Sequence, residues 1–175
     1  LLERHEGLKL TALDRSATRL EKIAENLARI GLGDGARLLA ADAAGPEAWW
    51  DGERFDRVLL DAPCTATGVI RRHPEIKWLR TPEQVEEVQA VQARLLDRLW
   101  PLLEPGGILV YATCSVLKSE NGVQVQRFLL QNDDAIEQTP AVEWGLAGPP
   151  GRQVLPGQAG PNALEGRKLV LELRE

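Results

Sequence analysis

The sequence predicts an α/β fold built around a mostly parallel sheet, and three observations lead to this class. Strand-like apolar runs alternate with helical segments along the chain. Several of these runs are nearly continuous in apolar residues, which is typical of strands covered on both faces. Three of the runs end in an aspartate, at Asp14, Asp42 and Asp61. Because ligands in such folds bind beyond the carboxyl ends of the strands, we expect these acids at a binding edge.

The first half of the chain supplies three of the predicted strands and one helix. The strands cover residues 8–14, 36–42 and 55–61. An amphipathic helix follows the first strand, and Gly31 is expected to end it. Its apolar residues fall on one face: Leu20, Ile23, Leu27 and Ile30.

The second half opens with a helix that carries clear start signals. Thr81 is the expected N-cap, Pro82 occupies the first helical position and Gln84 completes a capping box. Residues 105–107, Pro-Gly-Gly, are expected to stop it. Its predicted buried face consists of Val85, Val88, Leu95 and Leu99.

The remaining elements are predicted with simpler patterns. A strand is expected over residues 108–114, and a helix capped by Ser119 after it. The stretch from Pro140 to Asn162 is rich in glycine and proline, which predicts a long loop. A final strand is expected over residues 168–173.

Composition limits the classes of protein to consider. A chain of 175 residues that is 43% hydrophobic fits one domain with a substantial core. The net charge of −5 argues against a broad coat of nucleic acid but leaves room for a local RNA-binding patch. No apolar stretch approaches the roughly twenty residues of a membrane helix, and no secretory signal is present, so we expect a cytoplasmic protein. The chain contains no Met, which suggests a piece of a longer translated chain.

The three aspartates suit a nucleoside cofactor. A carboxylate accepts hydrogen bonds from ribose hydroxyls or from an adenine amino group. Asp14 is the best ribose candidate because it ends the strand before the first complete helix. The alternative is that each aspartate only caps a turn or a helix start.

The two cysteines also follow the ends of strand-like runs. Cys64 lies three residues after Asp61, and Cys114 ends the run ILVYATC. If those strands are neighbours, they lie roughly 5 Å apart and both thiols can face one small substrate. Either cysteine alone could be a buried apolar residue. A redox disulfide is another alternative, although the spacing is not C-x-x-C, and the spacing fits neither a disulfide framework nor a zinc site.

A basic segment follows Cys64 in the sequence. Residues 69–80 bring together an aromatic residue and four cations, and this combination favours an RNA strand held by phosphate contacts and base stacking. The alternative is a solvated surface loop, and His73 gives no clear sign of a catalytic or metal role. The residues concerned are Arg71, Arg72, Lys77, Trp78 and Arg80.

Two motifs carry a family resemblance. The stretch LLDAPCTATGVIRRHPEIKWLR, followed later by YATCS, resembles the RNA cytosine-5 methyltransferases that use S-adenosylmethionine, and the bacterial members that act on ribosomal RNA above all. The resemblance covers about residues 1–135. It implies a Rossmann-like methyltransferase catalytic domain over residues 1–175 that is N-terminally incomplete. The family's first strand and the glycine-rich loop after it are not found in this sequence.

The resemblance also implies roles for individual residues. Asp14 matches the ribose-binding acid, Asp42 the adenine-side acid, and Asp61 the acid at the methyl end of the cofactor site, where it also contacts the cytosine. Cys114 matches the nucleophile that adds to carbon 6 of cytosine. Cys64 matches the residue implicated in releasing the methylated base, and the target base must be unpaired or flipped.

Two other functions stay open at this point. The chain could be a non-catalytic RNA-binding or nucleotide-binding remnant that keeps the motifs. A nicotinamide-dependent enzyme on a similar sheet is also possible, but it leaves the cysteine pair unexplained.

Overall fold

The chain divides into two compact units, Leu1–Glu53 and Arg54–Glu175. Both combine helices with strands, and both contain a parallel strand pair, which confirms the predicted α/β class. In the computed structural model, the described residues are 2–4, 7–138, 145–147, 150–154 and 166–173.

The first unit holds a parallel pair of strands joined by a helix. Strands β1 (Leu10–Asp14) and β2 (Ala36–Ala40) pair so that Asp14 lies opposite Ala40, and helix α1 (Ala17–Arg29) connects them. The second strand is two residues shorter than predicted. It ends before Asp42 because the carbonyl of that residue accepts a hydrogen bond from the Gly45 amide and starts a turn.

Helix α1 ends as the sequence predicts but buries less than expected. Gly31 has φ of +72°, a conformation that glycine adopts at little cost, and it follows the C-cap residue Ile30. Of the four apolar residues predicted on its buried face, Leu20 is buried in this structure, Leu27 is half-buried, and Ile23 and Ile30 are exposed.

The second unit is built on a mixed sheet. Strand β3 (Phe55–Asp61) pairs in parallel with β4 (Leu103–Thr113), and Asp61 lies opposite Ala112. This confirms that the strands leading to the two cysteines are neighbours. The other strands of the sheet pair antiparallel: β5 (Ala135–Gln138), β6 (Leu146–Ala147), β7 (Arg152–Val154) and β8 (Gly166–Leu173).

Two features of this sheet differ from the prediction. The segment predicted as one long loop from Pro140 to Asn162 contains β6 and β7, while residues 155–165 lie outside the described part of the chain. Nearly continuous apolar runs predicted strands covered on both faces, but Leu59 of β3 is 62% exposed. Within the described residues β3 pairs with β4 on one side only, so it does not have the neighbours of a central strand.

Among the described residues, three α-helices accompany the second sheet: α2 (Ile76–Leu79), α3 (Pro82–Leu99) and α4 (Gly122–Gln131). The capping box of α3 is confirmed, since the Thr81 side chain accepts a hydrogen bond from the Gln84 amide and the Gln84 side chain accepts one from the Thr81 amide. The helix stops at Leu99, just before Pro101, whose ring cannot continue it. The Pro-Gly-Gly sequence predicted to end α3 instead lies inside β4.

The start of α4 was predicted two residues too early. Asn121, not Ser119, occupies the N-cap position. Ser119 lies in a short 3-10 turn that places Glu120 inside the protein, where this side chain is 0% exposed.

The core of the second unit lies between β4 and helices α3 and α4. Leu103, Leu109 and Tyr111 of β4 are fully buried, and the rings of Trp100 and Phe128 meet edge to face at 5.2 Å. Each buried side chain of this size stabilises the fold by about 2 kcal/mol. Every helix in the described part of the chain is too short or too polar to span a lipid bilayer.

Candidate active site

The two cysteine thiols meet at the carboxyl end of the β3–β4 pair. Cys64 and Cys114 are both half-buried, and their sulfur atoms lie 3.2 Å apart, within hydrogen-bonding distance. Asp61 is the last residue of β3 and is exposed at the same edge of the sheet. The structure therefore brings together the three residues that sequence analysis assigned to catalysis.

Backbone hydrogen bonds on both sides of Cys64 hold its loop against the loop that contains Cys114. The Ala62 amide continues the strand pairing by donating to the Ala112 carbonyl, and the Gly68 amide donates to the carbonyl of Cys114, both at 2.8 Å. Between them Ala66 has φ of +60°, a left-handed conformation that is unusual for a residue with a side chain. The sharp turn at Ala66 keeps the Cys64 loop next to the Cys114 loop.

The pKa values of the two thiols are shifted in opposite directions. The hydrogen bond from Cys64 lowers the pKa of Cys114 to about 7, against the opposing effects of burial and of the nearby negative charge of Asp61. The same hydrogen bond, together with burial, raises the pKa of Cys64 well above its usual range. Because its pKa is about 7, Cys114 is about half ionised at pH 7 while Cys64 keeps its proton, and the thiolate is the reactive form of cysteine.

A buried carboxyl group lies behind the thiols. Glu120 accepts hydrogen bonds from the Thr65 amide at 2.8 Å and from the Thr65 hydroxyl, and also from Ser115 Oγ at 2.7 Å and Gln92 Nε2 at 3.2 Å. None of these four residues was predicted from the sequence as part of the site. One signal was available, because Gln92 is a polar residue within the apolar stripe of α3.

The other two acids belong to the first unit: Asp14 is the last residue of β1, and Asp42 lies two residues after the end of β2. Asp14 Oδ1 accepts a hydrogen bond from the Ser16 amide at 2.8 Å, and Asp42 Oδ1 accepts one from the Ala44 amide at 2.9 Å. Both residues therefore make the local turn contact that sequence analysis gave as the alternative. Because β1 and β2 are parallel neighbours, the two carboxylates follow the same edge of one sheet.

The basic segment after Cys64 exposes its polar residues around one buried anchor. Ile76 is buried, whereas Trp78 is 87% exposed, and Arg71, Arg72 and Lys77 are exposed as well. Arg80, the last cation of the segment, has a different place from the rest. Its Nε donates to the Thr65 carbonyl at 3.1 Å, which connects the end of the segment to the residue after Cys64.

Sequence comparison places this chain among bacterial methyltransferases. A family model described as 16S rRNA methyltransferase RsmB/F matches residues 2–164. A protein named ribosomal RNA small subunit methyltransferase B from Vibrio vulnificus is 48% identical over 162 residues, covering 90% of this chain. A protein of the same name from Xylella fastidiosa is 47% identical over 173 residues, covering 99% of it. The chain spans 35% and 41% of the lengths of these two relatives.

Solved structures show the same fold. The structure of NSun6 from Pyrococcus horikoshii with SFG has a TM-score of 0.76 at 28% identity, covering 95% of this chain and 41% of that one. A methyltransferase homolog protein from the same organism has a TM-score of 0.69 at 26% identity, covering 94% of this chain and 53% of that one. The predicted Rossmann-like methyltransferase fold is thereby confirmed.

Proposed function

Because this chain belongs to the 16S rRNA methyltransferase RsmB/F family, we propose that it methylates carbon 5 of a cytosine in ribosomal RNA in the bacterial cytoplasm. S-Adenosylmethionine is the proposed methyl donor. Relatives named ribosomal RNA small subunit methyltransferase support the RNA substrate, and the neighbouring structure solved with SFG, an analogue of S-adenosylmethionine, supports the donor. Residues 1–175 are in this proposal part of the catalytic domain.

The observation that carries this proposal is the pair of sulfur atoms 3.2 Å apart, within hydrogen-bonding distance of each other. Carbon 5 of cytosine is a poor nucleophile, and it becomes reactive only when a nucleophile has added to carbon 6. A thiolate can make that addition, and a second cysteine close by can take up the proton of carbon 5 afterwards, once it has lost its own proton. The pair supplies both groups.

The first step uses the thiolate of Cys114. Its sulfur forms a bond to carbon 6, and the electrons of the ring's double bond move toward carbon 5. Asp61, at the end of the neighbouring strand, would hold the polar edge of the cytosine in the protonated form that favours this addition. S-Adenosylmethionine, when bound, supplies an electrophilic methyl group that carbon 5 can accept.

The second step returns the pair to its starting state. Once Cys114 is bonded to carbon, it no longer carries the charge that keeps the proton on Cys64, so the pKa of Cys64 falls and its proton can leave to solvent. The Cys64 thiolate then takes the hydrogen from the methylated carbon 5. The bond between Cys114 and carbon 6 breaks, and Cys114 leaves as a thiolate. One proton is released per methyl group transferred, and both cysteines end as they began.

The cofactor residues are proposed on the chemistry of their side chains. Asp14 would bind the ribose and Asp42 the adenine side of S-adenosylmethionine, since carboxylates accept hydrogen bonds from hydroxyl and amino groups. Both follow adjacent parallel strands of the first unit, and the Arg19 guanidinium lies 3.4 Å from Asp14 Oδ2. Asp61 is proposed at the methyl end.

The basic segment is proposed as the RNA contact. Arg71, Arg72 and Lys77 would bind phosphates, and the exposed ring of Trp78 would stack on a base. Its end contacts the residue next to Cys64 through Arg80, so RNA held there lies near the thiols. The target cytosine must be unpaired or flipped out to reach them.

Nucleoside analysis tests this function. The protein as its gene encodes it is incubated with unmodified small-subunit ribosomal RNA and methyl-labelled S-adenosylmethionine, and the digested RNA is analysed by mass spectrometry. We expect label in 5-methylcytidine with the unaltered protein and with T18A, an exposed control, but none with C114A. Label in another nucleoside would contradict the cytosine-5 assignment. RNA binding with no label at all would favour a non-catalytic RNA-binding protein.

A further inference from the structure

Glu120 is a carboxyl group that is buried completely and has a full set of partners. Its side chain is 0% exposed, and removing such a group from water is costly unless hydrogen bonds replace the lost solvent. Four donor groups from Thr65, Gln92 and Ser115 meet its two oxygens, two at each oxygen. This is the arrangement of an ionised carboxylate, which only accepts hydrogen bonds. The Tyr111 hydroxyl also donates to the Glu120 backbone carbonyl at 2.7 Å, so the main chain is held too.

The partners of this carboxylate are placed next to the two cysteines. Thr65 directly follows Cys64, and Ser115 directly follows Cys114. One buried side chain therefore contacts both loops at the residue nearest each thiol. The two loops lie fifty positions apart in the chain, and nothing local in the sequence holds them together.

We propose that Glu120 is a positioning residue that holds the Cys64 loop and the Cys114 loop at the distance at which the two thiols can exchange a proton. Its importance for methyl transfer rests on the function proposed above, whereas its effect on the thiol pair does not. Glu120 itself touches neither sulfur in this arrangement. It acts through Thr65 and Ser115.

Other contacts join the same two loops through residues farther along the chain from Cys64. The Gly68 amide donates to the Cys114 carbonyl at 2.8 Å, and the hydroxyls of Thr67 and Ser115 lie 3.0 Å apart. Thr67 and Gly68 are three and four residues beyond Cys64, with the left-handed turn at Ala66 in between. These contacts keep the loops adjacent when Glu120 is altered, so an alteration is expected to loosen the thiol pair without unfolding the unit.

Two substitutions separate the contacts of Glu120 from its charge. E120A removes all four hydrogen bonds. In E120Q the amide oxygen can accept from the Thr65 amide and Gln92, while the amide NH2 faces two hydroxyls, those of Thr65 and Ser115, which can turn to accept. E120Q therefore keeps the connection between the loops and loses only the negative charge.

Oxidation of the free protein measures how often the two sulfurs meet. Diamide accepts two hydrogens from the thiols, which join as a disulfide, and neither RNA nor S-adenosylmethionine is needed. We expect E120A to form the Cys64–Cys114 disulfide about tenfold more slowly than the unaltered protein, and E120Q to stay within about twofold, because several hydrogen bonds to a charged group are lost in the first and kept in the second. D134A is the matched control. It removes another carboxylate of this unit, the partner of Trp100 Nε1, and is expected to leave the rate unchanged.

The pH profile of Cys114 alkylation gives a second measurement. If Glu120 only stabilised the fold, its substitution would leave the midpoint of this profile unchanged. The groups acting on this thiol are Cys64, Asp61 and Glu120. E120Q removes a negative charge and keeps the Cys64 hydrogen bond, so the midpoint should fall below the unaltered protein's. E120A removes the same charge but also loosens that hydrogen bond, which has the larger effect on this thiol, so its midpoint should rise. Opposite shifts in the two variants support the proposal.

A disulfide rate in E120A equal to that of the unaltered protein would overturn the proposal. If E120A does not fold, T65V serves instead, because it keeps the size of the side chain and the backbone contact and removes one hydroxyl contact. A slower rate in T65V supports the proposal, and an unchanged rate overturns it. Because the oxidation uses no substrate, a failure of the methylation assay bears on the proposed function and leaves this result standing.

Discussion

The sulfur atoms of Cys64 and Cys114 lie 3.2 Å apart although fifty positions separate the residues in the chain. Parallel pairing of β3 with β4 brings both loops to one edge of the sheet. The contact between the sulfur atoms lowers the pKa of Cys114 and raises that of Cys64. This difference in pKa is the physical basis of the proposed mechanism. Cys114 must attack as a thiolate, whereas Cys64 must be protonated at the start, lose its proton after the attack and then accept the proton of carbon 5.

The first prediction concerns the pH dependence of thiol reactivity. Alkylation of Cys114 by iodoacetamide, followed by peptide mass spectrometry, should rise with a midpoint at about pH 7, the pKa to which the Cys64 hydrogen bond lowers it. Above that pH the reactive thiolate predominates, and below it the rate should fall. Until Cys114 has reacted, Cys64 should stay unmodified in this range because its pKa is raised by its contact with Cys114.

Removing either neighbour should shift this midpoint in a known direction. C64A deletes the hydrogen bond that lowers the pKa, so the midpoint should move up toward the ordinary value of 9.0. At pH 7 the thiolate fraction then falls about fiftyfold, but each thiolate becomes more nucleophilic, so the rate should fall about fivefold to tenfold. D61N removes a negative charge and should move the midpoint down. A midpoint unchanged in C64A would contradict the shared proton.

The second prediction concerns the basic segment. The triple variant R71A/R72A/K77A should bind single-stranded RNA more weakly, and the slope of log affinity against log salt should become about two units less steep, because three phosphate contacts release fewer counterions. Filter binding at several salt concentrations gives the slope.

Matched variants distinguish the loss of this segment's RNA contacts from a general loss of positive charge. K9A/K22A/R29A removes three exposed cations from the first unit and is expected to leave the slope unchanged. W78A should lower affinity by about 1–3 kcal/mol at every salt concentration without changing the slope, because stacking involves no counterions. Equal slopes for the two triple variants would make residues 69–80 a solvated surface loop.

The third prediction tests the backbone turn next to Cys64. Ala66 has φ of +60°, which costs about 1 kcal/mol for a residue with a Cβ atom. A66G should therefore leave the free energy of unfolding unchanged or raise it by as much as about 1 kcal/mol. The control A90G, at an exposed position inside α3, should lower it by about 1 kcal/mol. Urea unfolding of both variants makes the comparison, and equal losses would contradict the left-handed turn.

Local pattern was enough to predict the elements that hold the thiols. The apolar runs ending at Asp61 and Cys114 predicted β3 and β4, and the capping signals at Thr81 predicted the start of α3, since each depends on residues close together in the chain. The Pro-Gly-Gly stretch misled the prediction because such residues also occur at irregular points of a strand. The register of β3 and β4 shifts across this stretch.

The buried hydrogen-bond network around Glu120 could not be predicted from the sequence for a different reason. Glu120 follows Ser119 and precedes Asn121, a setting in which an acidic residue ordinarily caps a helix and faces solvent. Its burial depends on Thr65 and Gln92, which are 55 and 28 positions away, and no local pattern encodes contacts of that kind. The antiparallel strands β6 and β7 were missed similarly, since they are short and pair across a glycine-rich segment.

The most direct test of the account is a denaturing gel of the protein, as its gene encodes it, mixed with RNA and S-adenosylmethionine. C64A should still attack, although more slowly, and then stall, because nothing close by removes the hydrogen from carbon 5. It should therefore carry a slow-migrating protein–RNA band. C114A should show no such band, because a methyl group cannot bond to carbon 6, yet it should still bind RNA in a native gel. A trapped band from C114A would reverse the two roles, and normal turnover by both variants would contradict the mechanism.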